Sequence, residues 1–201
     1  MRLLKNIVTT LFLTLMLITS ANAQTSLENI KIKTDIFEIE YSQKYQQPLN
    51  VKYIVQCPVG DEERDGMIFK KYKGVLTSDD ADYINNVWDK GHMAPAGAFT
   101  CNATKLLETF SYLNCALQHE SLNRGPWKEL EHFEKDLTKV FTSVSIEIRL
   151  HFENKPEYWL KTGALIPIGF TKIIKCDNKT FEFYFPNTNV AGHDWIEYKI
   201  N

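Results

Sequence analysis

The stretch "VWDKGHMAPAGAF", residues 87–99, decides how this sequence is interpreted. It places His92 after a glycine and before a run of small residues, in a chain whose other segments often alternate apolar and polar residues. A neutral imidazole can take a proton from water near pH 7. Gly91 permits a close backbone approach, and Lys90 adds a cation. The stretch therefore indicates a site that activates water beside an anion, and the alternative is a structural histidine.

Residues 1–23 have the order of a secretory signal peptide. Arg2 and Lys5 precede an apolar run of about a dozen residues, and Ala21-Asn22-Ala23 closes it. The apolar run is too short to favour a transmembrane helix. We therefore predict cleavage after residue 23, a single domain over residues 24–201, and a protein that is secreted or periplasmic.

Composition and charge limit the classes of function. The 201 residues are 44% hydrophobic and 12% aromatic, which is typical of a globular domain with a sizeable core. Two of the 23 basic residues belong to the predicted signal peptide, so 21 remain against 25 acidic residues and the net charge is near −4. A protein with a broad basic surface for nucleic acid would be strongly positive. Binding of a polyanion would therefore need a local site or a metal ion, and no membrane contact is expected after cleavage.

Four cysteines remain after the predicted cleavage, at positions 57, 101, 115 and 176. Their wide separations and the lack of a C-x-x-C pattern argue against a structural zinc site. An even number of cysteines in an oxidising compartment favours disulfides. We expect at least one disulfide, and the sequence does not choose its partners.

Periodicity predicts an α+β fold in which strands dominate and helices lie in the middle of the chain. Alternating residues predict strands over 36–42, 49–56, 143–150 and 180–186, and a strand, turn and strand over 162–175. The clearest helix is predicted over 123–140, with Pro126 in its first turn. A shorter helix follows Asn102. No repeat or linker divides the chain.

A second group of candidate residues lies around this helix. Asn123 is predicted at its start, where an asparagine either caps the helix or offers an oxygen ligand to Mg²⁺. Glu131 lies about two turns further along and leans back toward the helix start, at a distance that allows it to hold waters of a metal ion. The alternative is an ordinary surface pair of Glu131 with Lys135.

Taken together, these residues resemble a known family. Residues 89–96 read Asp-Lys-Gly-His-Met-Ala-Pro-Ala, similar to the Asp-Arg-Gly-His-(Met/Leu)-Ala-Pro-Ala signature of the DNA/RNA non-specific endonucleases. That family includes secreted bacterial nucleases and mitochondrial endonuclease G. Its second block, an Asn followed nine residues later by Asn-x-Gly-x-Trp-x-x-(Leu/Ile)-Glu, is matched by Asn114 and residues 123–131. The resemblance extends over about residues 41–189.

The resemblance implies a ββα-metal (His-Me finger) nuclease fold with a central antiparallel sheet flanked by helices. It implies that His92 is the general base, that Asn123 holds one Mg²⁺, for which Mn²⁺ could substitute, and that Glu131 orients metal-bound waters. Asn114 would position the His92 region or the substrate, and Lys90 would act beside the base. The residues expected to bind substrate phosphates are Arg64, Lys90, Arg124 and Lys135.

The function implied is a secreted endonuclease that hydrolyses phosphodiester bonds in DNA, RNA or both and leaves 5′-phosphate ends. Lys90 and Lys135 replace arginines of the family pattern, and lysine lacks the planar two-pronged grip of arginine on phosphate. The alternative is therefore a catalytically impaired nucleic-acid-binding domain of the same fold. A structural disulfide-bonded protein would match both blocks only by accident. An inhibitor protein is a further expected partner, and the oligomeric state stays open.

Overall fold

The computed structural model describes residues 27–56 and 60–201. The predicted signal peptide, residues 1–23, and Cys57 lie outside these described residues. The fold is α+β, as the sequence predicts, and its strands are joined mainly as antiparallel neighbours. Within the described part of the chain, no helix combines the length and the apolar character that crossing a membrane requires.

Eight strands and three α-helices form the part of the fold that these residues cover. The strands are β1 Asn29–Lys33, β2 Phe37–Ser42, β3 Gln47–Ile54, β4 Trp88–His92, β5 Cys115–His119, β6 Val144–His151, β7 Gly169–Cys176 and β8 Lys179–Pro186. The helices are α1 Ala103–Thr109, α2 Glu120–Arg124 and α3 Pro126–Leu137.

The larger sheet has six strands in the order β1-β2-β3-β6-β7-β8, and every neighbouring pair is antiparallel. Its strands alternate as their sequences predict: in β2, Phe37 and Ile39 are buried, whereas Glu38 between them is exposed. Helix α3 contributes Trp127 and Leu130 to the same core, and both side chains are fully buried. Burial of this apolar stripe fixes α3 on the sheet.

The smaller sheet consists of β4 and β5, which pair antiparallel with His92 opposite Cys115. The next elements in the chain are α2 and α3, so that two strands and a helical segment form a ββα unit. Gly91 is required by the pairing itself, because a Cβ there would lie 2.3 Å from the side-chain oxygen of Gln118 on β5. The close approach that Gly91 permits is therefore made by Gln118.

Side-chain amides fix β5 within the larger structure. Gln47 Oε1 accepts a hydrogen bond from the backbone N–H of Leu117 at 3.1 Å. Asn187 Nδ2 donates to the carbonyl of Leu117 at 2.9 Å, and its Oδ1 accepts from the N–H of His119 at 2.8 Å. The N–H and carbonyl of Leu117 and the N–H of His119 are thereby satisfied by residues of the larger sheet and its following loop.

Two local predictions are wrong. The helix predicted over 123–140 is interrupted at Gly125, where φ is −108° and ψ is −115°, and it resumes with Pro126, which has no N–H to donate. Asn123 therefore lies inside α2 and does not cap α3. The first strand predicted within 162–175 is replaced by an isolated bridge between Trp159 and Leu165. The short helix α1 does begin after Asn102, whose side chain accepts from the N–H of Lys105.

Candidate active site

A cleft of about 580 Å³ lies between the loop after β3, the end of β4 and the helices α2 and α3. It brings together seven of the eight residues singled out from the sequence: Arg64, Lys90, His92, Asn123, Arg124, Glu131 and Lys135. Further lining residues include Lys128, His132 and Glu134. The chain thus gathers a histidine, an amide, carboxylates and several cations around one space.

His92 is the last residue of β4, and two aromatic rings hold its imidazole. The ring centroid lies 4.8 Å from that of Phe69 and 4.9 Å from that of Phe110, the latter at an interplanar angle of 84°. Nε2 is buried and has no hydrogen-bond partner among the described residues. Nδ1 is therefore the nitrogen through which His92 can reach the cleft.

The environment keeps His92 uncharged. Burial lowers the pKa of His92 to about 3, and the positive charge of Arg64 contributes in the same direction. The imidazole is therefore neutral at physiological pH and able to accept a proton. A phosphodiester bound in the cleft would bring negative charge and oppose this lowering.

Asn114 lies behind His92 and outside the lining of the cleft. It is fully buried, its Oδ1 accepts from the N–H of Ala94 at 2.7 Å, and its Nδ2 donates to the carbonyls of Ala94 and Thr109 at 2.8 and 3.0 Å. The backbone N–H of Met93 donates to the carbonyl of Asn114 at 2.9 Å. These bonds fix the chain that follows His92, and they leave no donor of the Asn114 amide for a substrate.

Asp89 orients the Asn123 side chain, a role that the sequence did not suggest. Asn123 Nδ2 donates to Asp89 Oδ2 at 2.9 Å. Arg124 grips the same carboxylate with Nε and Nη2, at 2.8 and 2.7 Å. Because the nitrogen end of the Asn123 amide is used in this way, its oxygen end is the one available for coordination. The only sequence signal for Asp89 was its place in the signature block.

Glu131 is partly buried beside the cleft. Burial raises the pKa of Glu131 to about 7; the cation of Lys172 opposes this rise and the anion of Glu134 adds to it. Lys135, four residues further along α3, also lines the cleft. The ion pairs found in the described part of the chain do not include Glu131 with Lys135. The alternative of an ordinary surface pair therefore does not describe these two residues.

The cations of the cleft differ in how strongly they are held. Lys90 forms an ion pair with Asp80, and its Nζ lies 5.6–5.7 Å from the ring centroids of Phe69, Tyr83 and Tyr112. Its charge is thus directed toward a carboxylate and aromatic faces. Arg124 is bound by Asp89 and also by Glu120, at 3.1 Å. By contrast, Arg64, Lys128 and Lys135 are absent from the ion pairs of the described residues.

The donor set of the cleft suits a sparsely held oxygen-loving cation. Among the described residues, no group of three or more His, Cys, Asp or Glu side chains could hold a metal ion. Mg²⁺ needs no such cluster, since it keeps several waters and often binds one or two protein oxygens besides substrate phosphates. The amide oxygen of Asn123 and the carboxylate of Glu131 are donors of this kind.

Cys115 and Cys176 are free and buried, and burial raises the pKa of Cys115 to about 12, so neither is poised as a thiolate ligand or nucleophile.

A histidine at the end of a two-stranded sheet, facing an asparagine and a glutamate on the helical segment that follows, defines the class of ββα-metal nucleases. The chain is similar to the crystal structure of the EndoG/EndoGI complex, with a TM-score of 0.77 and 19% identity over 85% of this chain and 80% of that one. Residues 18–201 match the family model of the DNA/RNA non-specific endonucleases, and the chain belongs to this family.

Curated relatives support the family assignment. The chain is 34% identical to the mitochondrial nuclease EXOG of Xenopus laevis over 71% of its own length and 46% of that protein. It is 35% identical to the mitochondrial nuclease of Saccharomyces cerevisiae over 42% of its length and 25% of that protein. With endonuclease G of Bos taurus it shares 32% identity over 33% of its length and 22% of that protein. The chain thus spans less than half the length of these relatives.

The relatives correct one prediction. The secreted or periplasmic localisation expected from residues 1–23 is contradicted, because the three relatives described above are mitochondrial nucleases. The segment on which that prediction depended also lies outside the described residues.

Proposed function

We propose that this protein is a metal-dependent endonuclease that hydrolyses phosphodiester bonds of DNA, RNA or both with little base specificity. The observation that carries the proposal is the convergence of His92, Asn123 and Glu131 on one cleft that is also lined by cations. Contacts to phosphates carry no sequence information, so such a cleft has no means of selecting bases through them. We further propose that residues 24–201 form one nuclease domain.

His92 acts as the general base in this proposal. Its imidazole is neutral, and the rings of Phe69 and Phe110 restrict its orientation. With Nε2 enclosed, Nδ1 accepts the proton of the water that attacks phosphorus. Asn114 accepts a bond from the N–H of Ala94 and donates one to its carbonyl, which holds the backbone beyond His92 and supports a positioning role for Asn114.

The oxygens of Asn123 and Glu131 would hold one Mg²⁺, Asn123 directly and Glu131 through bound water, and Mn²⁺ would be an adequate substitute. The fit is supported by the bond from Asn123 Nδ2 to Asp89, which turns the amide so that its oxygen is available. When bound, the metal ion supplies stabilisation of the negative charge that develops on the phosphate and the leaving oxygen. The expected products carry 5′-phosphate and 3′-hydroxyl ends.

Cations in the cleft bind the phosphates of the substrate. Arg64, Lys128 and Lys135 are the side chains best placed for this role, because Lys90 and Arg124 are already paired with carboxylates. Lys90 would then act mainly by supporting the aromatic residues beside His92. Because these contacts join cations to phosphates, added salt should weaken substrate binding, and the small number of contacts predicts a shallow salt dependence.

Nucleic acid is the proposed substrate partner, and an inhibitor protein is a second proposed partner. Support for an inhibitor comes from the structural neighbour, because EndoG was crystallised there in a complex with EndoGI that concerns the mechanism of EndoG inhibition.

The test is degradation of plasmid DNA and of RNA by the full chain, with Mg²⁺, with Mn²⁺ and with EDTA. We expect cleavage of at least one substrate that requires the metal ion, and ligation of the fragments without prior phosphorylation would establish 5′-phosphate ends. Equal cleavage with EDTA would contradict the metal-dependent mechanism.

One observation favours a second candidate, a catalytically impaired nucleic-acid-binding domain. Lys90 replaces the arginine of the family signature, and Asp80 engages its charge. If the protein retards DNA on a gel but cleaves neither substrate with Mg²⁺ or Mn²⁺, this candidate is correct and the nuclease proposal fails.

We also propose that the predicted disulfide joins Cys57 and Cys101. The other two cysteines are free and buried. Described residues near the proposed pair are hydrogen-bonded to each other: the N–H of Gln56 donates to the carbonyl of Ala98 at 3.2 Å, and that of Glu62 donates to the carbonyl of Thr100 at 3.0 Å. Peptide mapping by mass spectrometry without reduction would find the linked pair, or two free thiols if the proposal is wrong.

A further inference from the structure

A fully buried ion pair lies beneath the cleft. Lys172 on β7 and Glu134 on α3 are 0% and 1% exposed, and Lys172 Nζ lies 2.6 Å from Glu134 Oε1. The pair is not part of the proposed chemistry, yet Glu134 also lines the cleft. Two opposite charges have thus been removed from water directly next to the candidate active site.

The ion pair links three elements of the fold. Tyr53 on β3 donates its hydroxyl hydrogen to Glu134 Oε2 at 2.7 Å. Lys172 Nζ lies 4.1 Å from the ring centroid of Trp127 on α3, a distance typical of a cation–π contact. Helix α3 is therefore attached to two strands of the larger sheet by the hydrogen bond from Tyr53 to Glu134 and by the charge contacts of Lys172 with Glu134 and Trp127, in addition to its apolar stripe.

These contacts bracket Glu131 on the helix. Trp127 lies four residues before Glu131 and Glu134 lies three residues after it, so all three project from neighbouring turns. A small rotation of α3 about its axis would move Glu131 out of the cleft and would break the contacts of Lys172.

Stability alone is a weak reason for such a pair. Burying two charges costs desolvation energy, and apolar side chains of similar volume often stabilise a protein equally well or better. A buried charge that has one partner, together with the hydrogen bond from Tyr53, selects one orientation of a helix where apolar packing tolerates several. The pair lies between α3 and the sheet, close to Glu131, where a contact of this kind can fix the orientation of the helix.

We propose that the Lys172–Glu134 ion pair, together with Tyr53, is a positioning device that sets the rotation of α3 so that Glu131 faces the cleft beside Asn123. Lys172 and Glu134 are thus positioning residues that act through Glu131. The inference rests on the proposed function, because it concerns the residues expected to hold the metal ion.

The experiment measures Mn²⁺ binding to the metal-free full chain by electron paramagnetic resonance, without substrate. The test variant is Lys172→Met with Glu134→Gln, which removes both charges and keeps an acceptor for the Tyr53 hydroxyl. The matched control is Lys139→Met with Asp136→Asn, which removes an exposed ion pair of 2.6 Å at the end of the same helix. The thermal midpoint of each variant is recorded in parallel.

We expect the test variant to bind Mn²⁺ roughly 10-fold more weakly than the wild type while it stays folded, since residues that orient metal ligands typically contribute 10- to 100-fold in affinity. The control should bind as the wild type does. Wild-type affinity in the test variant would overturn the positioning role and leave the proposed function intact. A wild type that binds no Mn²⁺ and cleaves no nucleic acid would overturn the proposed function itself.

A milder variant keeps the inference testable if the double variant does not fold. Tyr53→Phe removes only the hydroxyl that Glu134 accepts from and leaves the buried ring in place. We expect a two- to five-fold loss of Mn²⁺ affinity in this variant, whereas the surface control should bind Mn²⁺ as the wild type does. Unchanged affinity in a folded Tyr53→Phe protein would count against the proposal.

Discussion

The two sheets of this molecule are held in different ways. The six-stranded sheet has regular antiparallel neighbours and alternating apolar side chains, and its buried face shares one hydrophobic core with the apolar stripe of α3. The two-stranded sheet carries His92 and Asp89, and side-chain amides fix it at several points: Gln47 and Asn187 bind β5, and Asn114 binds the chain after β4. The larger sheet supplies a rigid support, and the smaller one depends on individual polar contacts to hold its functional groups.

This difference indicates how substitutions should act. A change in the larger sheet should alter stability first, and activity only as far as α3 moves. A change among the polar contacts of the ββα unit should alter the site, with a smaller effect on the free energy of unfolding. Residues at the junction between the two should affect both.

The largest loss of stability is expected for Lys172→Met. The substitution leaves Glu134 buried without its cation, and breaking such a pair typically costs about 3–5 kcal/mol in the free energy of unfolding. Lys175→Met, an exposed position on the same strand, should change the free energy by less than about 0.5 kcal/mol. Urea denaturation of both variants measures the difference in the free energy of unfolding. Equal midpoints would show that loss of the cation does not destabilise the buried Glu134.

A loss of activity without a comparable loss of stability is expected for Asp89→Ala. Without the carboxylate, the Asn123 amide is free to turn, and we expect a loss of roughly 10- to 100-fold in metal affinity or cleavage rate. Glu120→Ala is the control, because it removes a partner of Arg124 and leaves the bond from Asn123 to Asp89 intact. If Glu120→Ala loses as much metal affinity or cleavage rate as Asp89→Ala, the important contact of Asp89 is with Arg124 and not with Asn123.

Asn187→Ala should affect the junction between the two sheets. It removes two hydrogen bonds to β5 and one to the carbonyl of Pro167, and it leaves buried backbone groups without partners. We expect a destabilisation of about 1–3 kcal/mol together with a partial loss of activity. Hydrogen exchange should show faster exchange at His119, whose N–H donates to Asn187, and unchanged exchange in β7. If the exchange rate at His119 is the same in the variant and the wild type, Asn187 has no specific role at the junction.

The smallest expected effect is a change in the pH dependence of stability in Glu131→Gln. The pKa of Glu131 is about 7 in the folded protein, above its ordinary value of 4.5, so the folded state holds a proton that the unfolded state has released. Its contribution to stability is therefore lost as the pH rises from about 4.5 to 7.

Without metal ion, Glu131→Gln should match the wild type near pH 4 and be about 1–2 kcal/mol more stable at pH 8, because no buried charge has to form. Denaturation at both pH values tests this sign, and a variant that is less stable at pH 8 would show that the ionised carboxylate is stabilised in the fold. Glu129→Gln, at an exposed position on α3, is the control and should show no such pH dependence.

Much of the larger sheet could be predicted from the sequence, because β2, β3, β6 and β8 alternate clearly. Strand β5 could not, since four of its five residues, Cys115 to Gln118, are buried and its sequence has no period of two. The break at Gly125 was missed because the apolar stripe of α3 alone resembles one longer helix. The spacing of apolar residues shows which face of a helix is buried, but it does not show at which residue the helical hydrogen bonds begin.

The candidate site shows the same division. The two family blocks identify His92, Asn123 and Glu131, and the structure places all three at one cleft. Asp89 and Lys172 could not be assigned from sequence, because their roles depend on partners 34 and 38 residues away that only folding brings near, Asn123 and Glu134. A carboxylate or a lysine without its partner has no distinctive pattern along the chain.

The central claim, that His92 performs the chemistry at a site that also binds nucleic acid, is tested most directly by His92→Ala. The measurement is the single-turnover rate of cleavage of a labelled oligonucleotide at saturating Mg²⁺, with the Kd for the same oligonucleotide measured in parallel. We expect the rate to fall by roughly 10²- to 10⁴-fold, as for loss of a general base, with a Kd within about three-fold of the wild type. A variant that cleaves at the wild-type rate, or that loses binding and rate together, would contradict the claim.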